Sequence, residues 1–535
     1  MPRRQVIACS ATSLVLALGL SACGGDDDSP GGSGGEYADG GVFTMALASD
    51  PGNLDPSMTP SSVARSMLGL SYDSLVYVKE DGTVVSGLAS TWEADATSAT
   101  FTLKPDITCA DGSPFTAQDA ADNIAYIADP ANQSPLNGVL AHDGITVTAD
   151  DAAGTVHVES PDPNGFLLAE LSGIFMICRA GLDDHESLAT ATVGTGPWQL
   201  DEAVADDHYR FSPTDGYTWG PDDTALEGAG IPDEVNVRII PSATTAANLL
   251  LSGEVNYAAV AGSDAERLDA AKLEAVESVS TAGETWFNHD EGHPGADPAV
   301  RKALTVGTDL AELSKVATAG RGRPSEGFIT LQPNPCAGGD TVTGNLPDFD
   351  ADAARAILED AGWTEGSDGV REKDGTPLTI DFRYDAQGLT ARTAGAEFLA
   401  SQWEDLGVDV DLKALPEAQL NELFFGTGAW DVAWAPFTFN LPSQMVAFVS
   451  GPGVADGGAN FSNIKNPTYD AAVAKATPQA NDAGCADWAD AEKALLADLN
   501  LVPMFDNVDR SYLNRVELTA PGGQIWGSTV RLLQG

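Results

Sequence analysis

Between residues 235 and 260 the chain alternates, breaks, turns helical and becomes apolar again, and this pattern restricts it to a fold that interleaves strands with helices. Val235, Val237 and Ile239 alternate with Asn236 and Arg238, the period of a half-buried strand. Pro241-Ser242 offers a helix start, a helix follows over 243–251, Gly253 can cap its end, and 255–260 reads as the next strand. The order recurs over 393–412. There Phe398, Leu399, Trp403 and Leu406 give a helix its apolar residues, Gly407 ends it, and Val408, Val410 and Leu412 alternate as a strand. Both are β-α-β-like units, and they imply α/β lobes with mainly parallel sheets. Asp297-Pro298 and Asp350 supply further helix starts. From about Val42 to Gly535 the chain is long for one core, so two or three domains are expected.

The balance of 27 Lys and Arg against 79 Asp and Glu gives a formal charge of −52. Such a chain repels phosphate backbones, so nucleic acid is excluded as a partner. The acids are scattered rather than blocked, as on a solvated surface. Cysteines stand at 9, 23, 109, 178, 336 and 485 without a C-x-x-C pair, so neither a zinc site nor a thioredoxin-like site is indicated.

The amino terminus carries an address. Arg3 and Arg4 precede an apolar run over 6–20, too short for a membrane span and suited to an export signal. Leu20-Ser21-Ala22-Cys23 resembles the bacterial lipobox, in which the segment before the cysteine is removed and the sulfur is lipidated. Residues 24–41 are nearly all Gly, Asp, Ser and Pro, a composition expected to act as a flexible tether. With Cys9 removed and Cys23 lipidated, four cysteines remain in an oxidising compartment, enough for two disulfides in any of three pairings.

The order of motifs after the tether resembles the family 5 extracellular solute-binding proteins of ABC importers, the peptide, dipeptide and nickel receptors. Asn53-Leu54-Asp55-Pro56 is similar to the family's early x-L-D-P. Tyr72-Asp73-Ser74-Leu75-Val76, Asp81-Gly82 and Gly87-Leu88-Ala89-Ser90-Thr91-Trp92-Glu93 follow in the family's order. So do Asp111-Gly112-Ser113-Pro114-Phe115-Thr116-Ala117-Gln118-Asp119, Gly194-Thr195-Gly196-Pro197-Trp198, Phe287-Asn288, Val300-Arg301-Lys302-Ala303, Ala361-Gly362-Trp363 and Leu501-Val502-Pro503. The resemblance implies an α/β fold, a type II periplasmic-binding-protein-like two-lobed clamshell with an additional domain beside lobe I. Lobe I would take 42–58, 190–282 and 496–535, the extra domain 59–189, and lobe II 283–495. On that layout Cys109–Cys178 and Cys336–Cys485 are the expected disulfides, each within one domain. The implied protein is no enzyme and needs no cofactor. It is a monomer on the extracytoplasmic face of the cell membrane, periplasmic where an outer membrane exists, and it delivers a peptide or other small solute to an ABC permease by lobe closure.

Candidate ligand contacts come from the segments the family places at the cleft: Asn53, Trp286, Asn288, Trp430, Trp434, Phe437, Thr438 and Asn440. Aromatic walls with amide and hydroxyl partners suit an extended, partly apolar ligand. Arg383, where a strand leads into a loop, could hold a ligand carboxylate in a bidentate pair or form a surface ion pair. Peptide receptors of this family often hold the ligand's ammonium with an Asp in W-x-x-D-x-x-x-P. Here Phe437 or Thr438 takes that place, depending on whether Trp434 or Pro442 is aligned. A buried ammonium without a carboxylate is costly, so a non-peptide solute (a blocked peptide, an opine, an oligosaccharide or a metal chelate) or an acid supplied from elsewhere gains weight, and a sensory binding protein is the alternative to an importer receptor. His289-Asp290-Glu291-Gly292-His293 has metal-ligating residue types, but Gly292 and Pro294 make it a loop, and no metal is expected.

Overall fold

The computed structural model describes residues 36–336, 339–385 and 390–535. The export signal, Cys23 and the tether up to residue 35 therefore lie outside the described residues. Its largest element is an eleven-stranded sheet. In spatial order the main path runs Asp409–Leu415, Thr379–Asp385, Val432–Trp434, Glu274–Phe287, Leu501–Leu513, Tyr257–Ala259, Val42–Leu47, Glu234–Ile239, His208–Pro213 and Trp198–Val204. The short strand Arg323–Pro324 adds to Leu501–Leu513 off this path.

Both interleaved units form. Glu234–Ile239 leads into the helix Ala243–Ser252, where the Ser242 hydroxyl accepts the Thr245 N–H and Gly253 closes the end at φ 78°. The strands on either side of that helix are not neighbours. Val42–Leu47 lies between them and pairs in parallel with both. In the second unit Thr379–Asp385 and Asp409–Leu415 pair directly in parallel across the helix Thr390–Glu404.

The expectation of mainly parallel sheets is corrected. Trp198–Val204 and His208–Pro213 form an antiparallel hairpin at one end, and the two longest strands are antiparallel in the middle. These neighbours are reached by a tight turn or by the returning chain, which needs no helical crossover.

The long strands join the two halves of the sheet. Glu274–Phe287 and Leu501–Leu513 pair from Glu274↔Leu513 to Trp286↔Leu501, with an irregular register around Gly283. One end of this ribbon adjoins Tyr257–Ala259 and the other Val432–Trp434. A Cβ at Gly283 would lie 2.4 Å from the Phe505 ring, so glycine is needed at the irregularity. Beyond it the alternation of side chains divides two cores. Trp286 and Ala433 point into a cluster with Phe424, Trp430 and Phe461, whereas Phe287 and Trp434 point into one with Leu304, Phe382 and Trp403.

A separate four-stranded antiparallel sheet takes Ala89–Ala94, Ser98–Leu103, Thr155–Glu159 and Thr146–Asp150 in spatial order. Its core includes the helix Ala117–Ala128, which starts with a reciprocal cap between Thr116 and Asp119. Disulfides join Cys109 to Cys178 and Cys336 to Cys485.

Candidate functional site

Several motifs of the sequence meet in the interior as scaffold. Asp73 is buried and accepts hydrogen bonds from the hydroxyls of Tyr77 (2.9 Å), Tyr217 (2.8 Å) and Thr195 (3.0 Å). Burial raises its carboxyl to about 6, against the pull of these donors. Gly194 and Gly196 lie flat on the Ser71–Tyr72 backbone, where a Cβ at Gly196 would come within 2.3 Å of the Ser71 carbonyl carbon. The Tyr72-Asp73 and Gly194-Thr195-Gly196 stretches thus lock together, and none of their side chains is free to take a ligand.

Beside this scaffold lies a cavity of about 220 Å³. Its walls come from stretches far apart in sequence: 65–78, 139–140, 169–173, 333–335, 440–444 and 521–526. The helix Ser62–Leu68 buries Ala64, Met67 and Leu68 in the core and leaves Arg65 at its flank. Arg65 Nη2 donates to the Gly173 carbonyl at the end of the helix Leu167–Ser172, and the guanidinium lies 4.7 Å from the Phe175 ring centroid. Nη1 is enclosed without a hydrogen-bond partner, and Arg65 has no ion-pair partner among the described residues. Burial lowers its pKa to about 10, so it stays a cation at neutral pH.

The remaining walls are aromatic, apolar and amide-bearing. Tyr77 and Trp526 meet edge to face with centroids 5.5 Å apart. Gly69 lies close to the backbone just before Trp526, where a Cβ would stand 3.1 Å from the Ile525 carbonyl oxygen. On the facing side Gln444 Oε1 accepts the N–H groups of Asn440 (3.3 Å) and Leu441 (3.4 Å) at the start of the helix Pro442–Val449. Glu170 is buried at the edge of the cavity, where Oε2 is bonded to Asn164 Nδ2 (2.6 Å) and His142 Nε2 (3.0 Å). This hydrogen bond raises the His142 pKa.

Of the residues read from the sequence, Asn440 lines this cavity. Trp286 is fully buried, and its indole N–H is shared between Glu284 Oε2 (2.8 Å) and the Ala435 carbonyl (2.9 Å). Asn288 donates to the carbonyls of Gly428 and Trp430, and Trp434 to that of Ala282. Trp430 is buried against Phe424 and Phe461. Phe437 is half-buried in the same aromatic group, touching Trp286, Phe448 and Phe461. Thr438 is exposed, as is Asn53, whose Oδ1 accepts the Asp55 N–H in a local turn. Arg383 pairs with Asp411 and Asp381 in its own part of the sheet, which is the ion-pair alternative of its two readings.

His289 donates Nε2–H to the Asn500 carbonyl and His293 pairs with Asp431, so the two side chains serve different partners. Among the described residues no group of three or more His, Cys, Asp or Glu side chains is placed to hold a metal. The sequence reading missed Arg65, Tyr77, Gln444, Gln524 and Trp526. The signal for Arg65 was faint but present: one cation at the flank of a short helix whose neighbours are apolar.

The family model for bacterial extracellular solute-binding proteins, family 5 Middle, matches residues 83–456. The chain is 26% identical to the nickel-binding periplasmic protein of Escherichia coli strain K12, over 71% of this chain and 72% of that one. It is 24% identical to the periplasmic murein peptide-binding protein MppA of the same strain, over 86% of each. Among solved structures, the ABC transporter substrate-binding protein CtaP of Listeria monocytogenes superposes with a TM-score of 0.76, at 19% identity over 93% of this chain and all of that one. A substrate-binding protein of Microbacterium hydrocarbonoxydans, complexed with 4-hydroxybenzoate hydrazide, gives 0.66 at 26% identity over 92% and 99%. The fold is that of the periplasmic binding proteins, with a multi-domain clamshell architecture, and the chain belongs to the family 5 bacterial extracellular solute-binding proteins.

Proposed function

We propose that the protein is the lipid-anchored receptor of an ABC importer, which captures a peptide-like solute in the cavity beside Arg65 and Trp526 and passes it to a membrane permease without altering it. The observation that carries this reading is the make-up of the cavity. One space draws its walls from six remote stretches, so a solute filling it would hold all of them together. The lobes are 42–58 with 190–282 and 496–535, and 283–495, with 59–189 as the extra domain. The ribbon of Glu274–Phe287 and Leu501–Leu513 supports a boundary near its irregular register. Cys23 fixes the receptor to the outer face of the membrane and keeps it, as a monomer, near its permease, which raises its effective concentration there.

A non-peptide solute is favoured by one feature. Neither Phe437 nor Thr438 offers the acid that would pair a peptide's ammonium. The names of the relatives span nickel, murein peptide, glutathione and deoxycholate, a range consistent with either class. Cys23→Ser tests anchor and capture together. The variant is expected to leave the membrane fraction and to keep its tryptophan-fluorescence response to the solute that the wild type binds. Retention in the membrane contradicts the anchor; a wild type that binds no peptide or other solute, or that hydrolyses one, contradicts the receptor.

A further inference from the structure

We infer that the captured solute carries a single carboxylate and that Arg65 is the residue that holds it. The inference rests on the proposal that the cavity beside Trp526 is the solute site. Arginines elsewhere fill their donors with acids, as Arg179 does with Asp119 and Asp122 and Arg510 with Asp269 and Glu277, or with backbone carbonyls, as buried Arg301 does. Arg65 is half-buried, has no acid partner among the described residues, and keeps Nη1 enclosed with no hydrogen-bond partner at all. Enclosing a guanidinium without a counter-charge is costly, and a ligand anion would offset that cost.

The geometry narrows the anion. Nη2 gives one N–H to the Gly173 carbonyl and the Phe175 ring lies beside the guanidinium, while both N–H groups of Nη1 lack a partner. Arg65 is also the one Lys or Arg side chain among the residues lining the cavity. A dianionic phosphate would therefore be half compensated, and Glu170 at the edge would repel its second charge. One carboxylate matches one guanidinium. The edge-to-face pair of Tyr77 and Trp526 fits an apolar or aromatic body, and the Gln444 and Gln524 side chains offer amide contacts to it.

The test is isothermal titration of the purified protein with matched acids and amides: 4-hydroxybenzoate and 4-hydroxybenzamide, hexanoate and hexanamide, N-acetyl-L-phenylalanine and its amide, glycyl-L-phenylalanine and its amide. Native mass spectrometry of the same preparation identifies any solute retained through purification. The expected result is binding or retention of carboxylates, with an acid preferred over its amide by about 30-fold or more. Arg65→Met should abolish that preference and lose a retained acid. Arg65→Lys keeps the charge without the planar fork and should recover part of the preference, which a merely structural arginine would not show. It also serves where Arg65→Met does not fold. Equal affinity for acid and amide, a neutral retained solute, or an acid affinity untouched by both variants overturns the carboxylate assignment and leaves solute capture standing. A wild type that neither binds nor retains any solute overturns the receptor reading, and this inference with it.

Discussion

Glu284 is fully buried at the point where the two long strands cross between the halves of the sheet. Its Oε2 accepts the Trp286 indole N–H and the Phe437 N–H (3.1 Å), while Oε1 has no partner. Burial, with a smaller contribution from Asp506, raises its pKa from 4.5 to about 8, and burial raises that of Asp506 from 3.8 to about 6. The folded chain therefore holds a proton on Glu284 across a range in which the unfolded chain has lost it. Stability from this group is present below pH 4.5 and is lost as pH rises towards about 8. Glu284→Gln keeps the acceptor and removes the titration, so its unfolding free energy should fall less than that of the wild type between those two pH values. Denaturant titrations at several pH values measure this, and a constant difference between the two proteins contradicts it. Trp286 and Trp434, offered by the sequence as ligand contacts, are buried in the two cores. An aromatic residue beside a strand end looks the same in sequence whether it faces a cleft or a core, and only the alternation along the paired strands decides.

The elements were more legible than the side chains they carry. The helix Ala243–Ser252 and the strands flanking it follow from alternation, a serine cap and a closing glycine, all local signals. That Val42–Leu47 would slot between the two strands was not legible, because pairing partners are chosen by contacts some two hundred residues apart. The Gly194-Thr195-Gly196 stretch was visible as a motif, but its purpose lies in a close approach to the 70–72 backbone that no spacing rule reveals. Gly196→Ala places a methyl group 2.3 Å from the Ser71 carbonyl carbon, against backbone that is itself held by the Gly196 N–H to Ser71 carbonyl bond. The substitution should cost about 1–3 kcal/mol, read as a lower denaturant midpoint. An unchanged midpoint would mean that this junction yields, and that the scaffold beside the cavity is softer than its packing indicates.

For the molecule as a whole, the resemblance read from the motif order gave the family and the clamshell, and the structure adds where its segments converge. The cavity takes Arg65 and Tyr77 from early in the chain, Asn440 and Gln444 from late in it, and Gln524 and Trp526 from close to its end. The three groups lie scores to hundreds of residues apart, which is why the cavity was largely illegible: long-range closure assembled it, and its one foreseen member, Asn440, sat in the segment already singled out for its aromatics. The account stands on solute capture at this convergence. A crystal structure of the purified protein with its solute bound tests it most directly. The solute is predicted to contact both Trp526 and the 440–444 segment; a solute seated instead against Trp286, Trp430 and Phe461, or outside the cavity altogether, would contradict it.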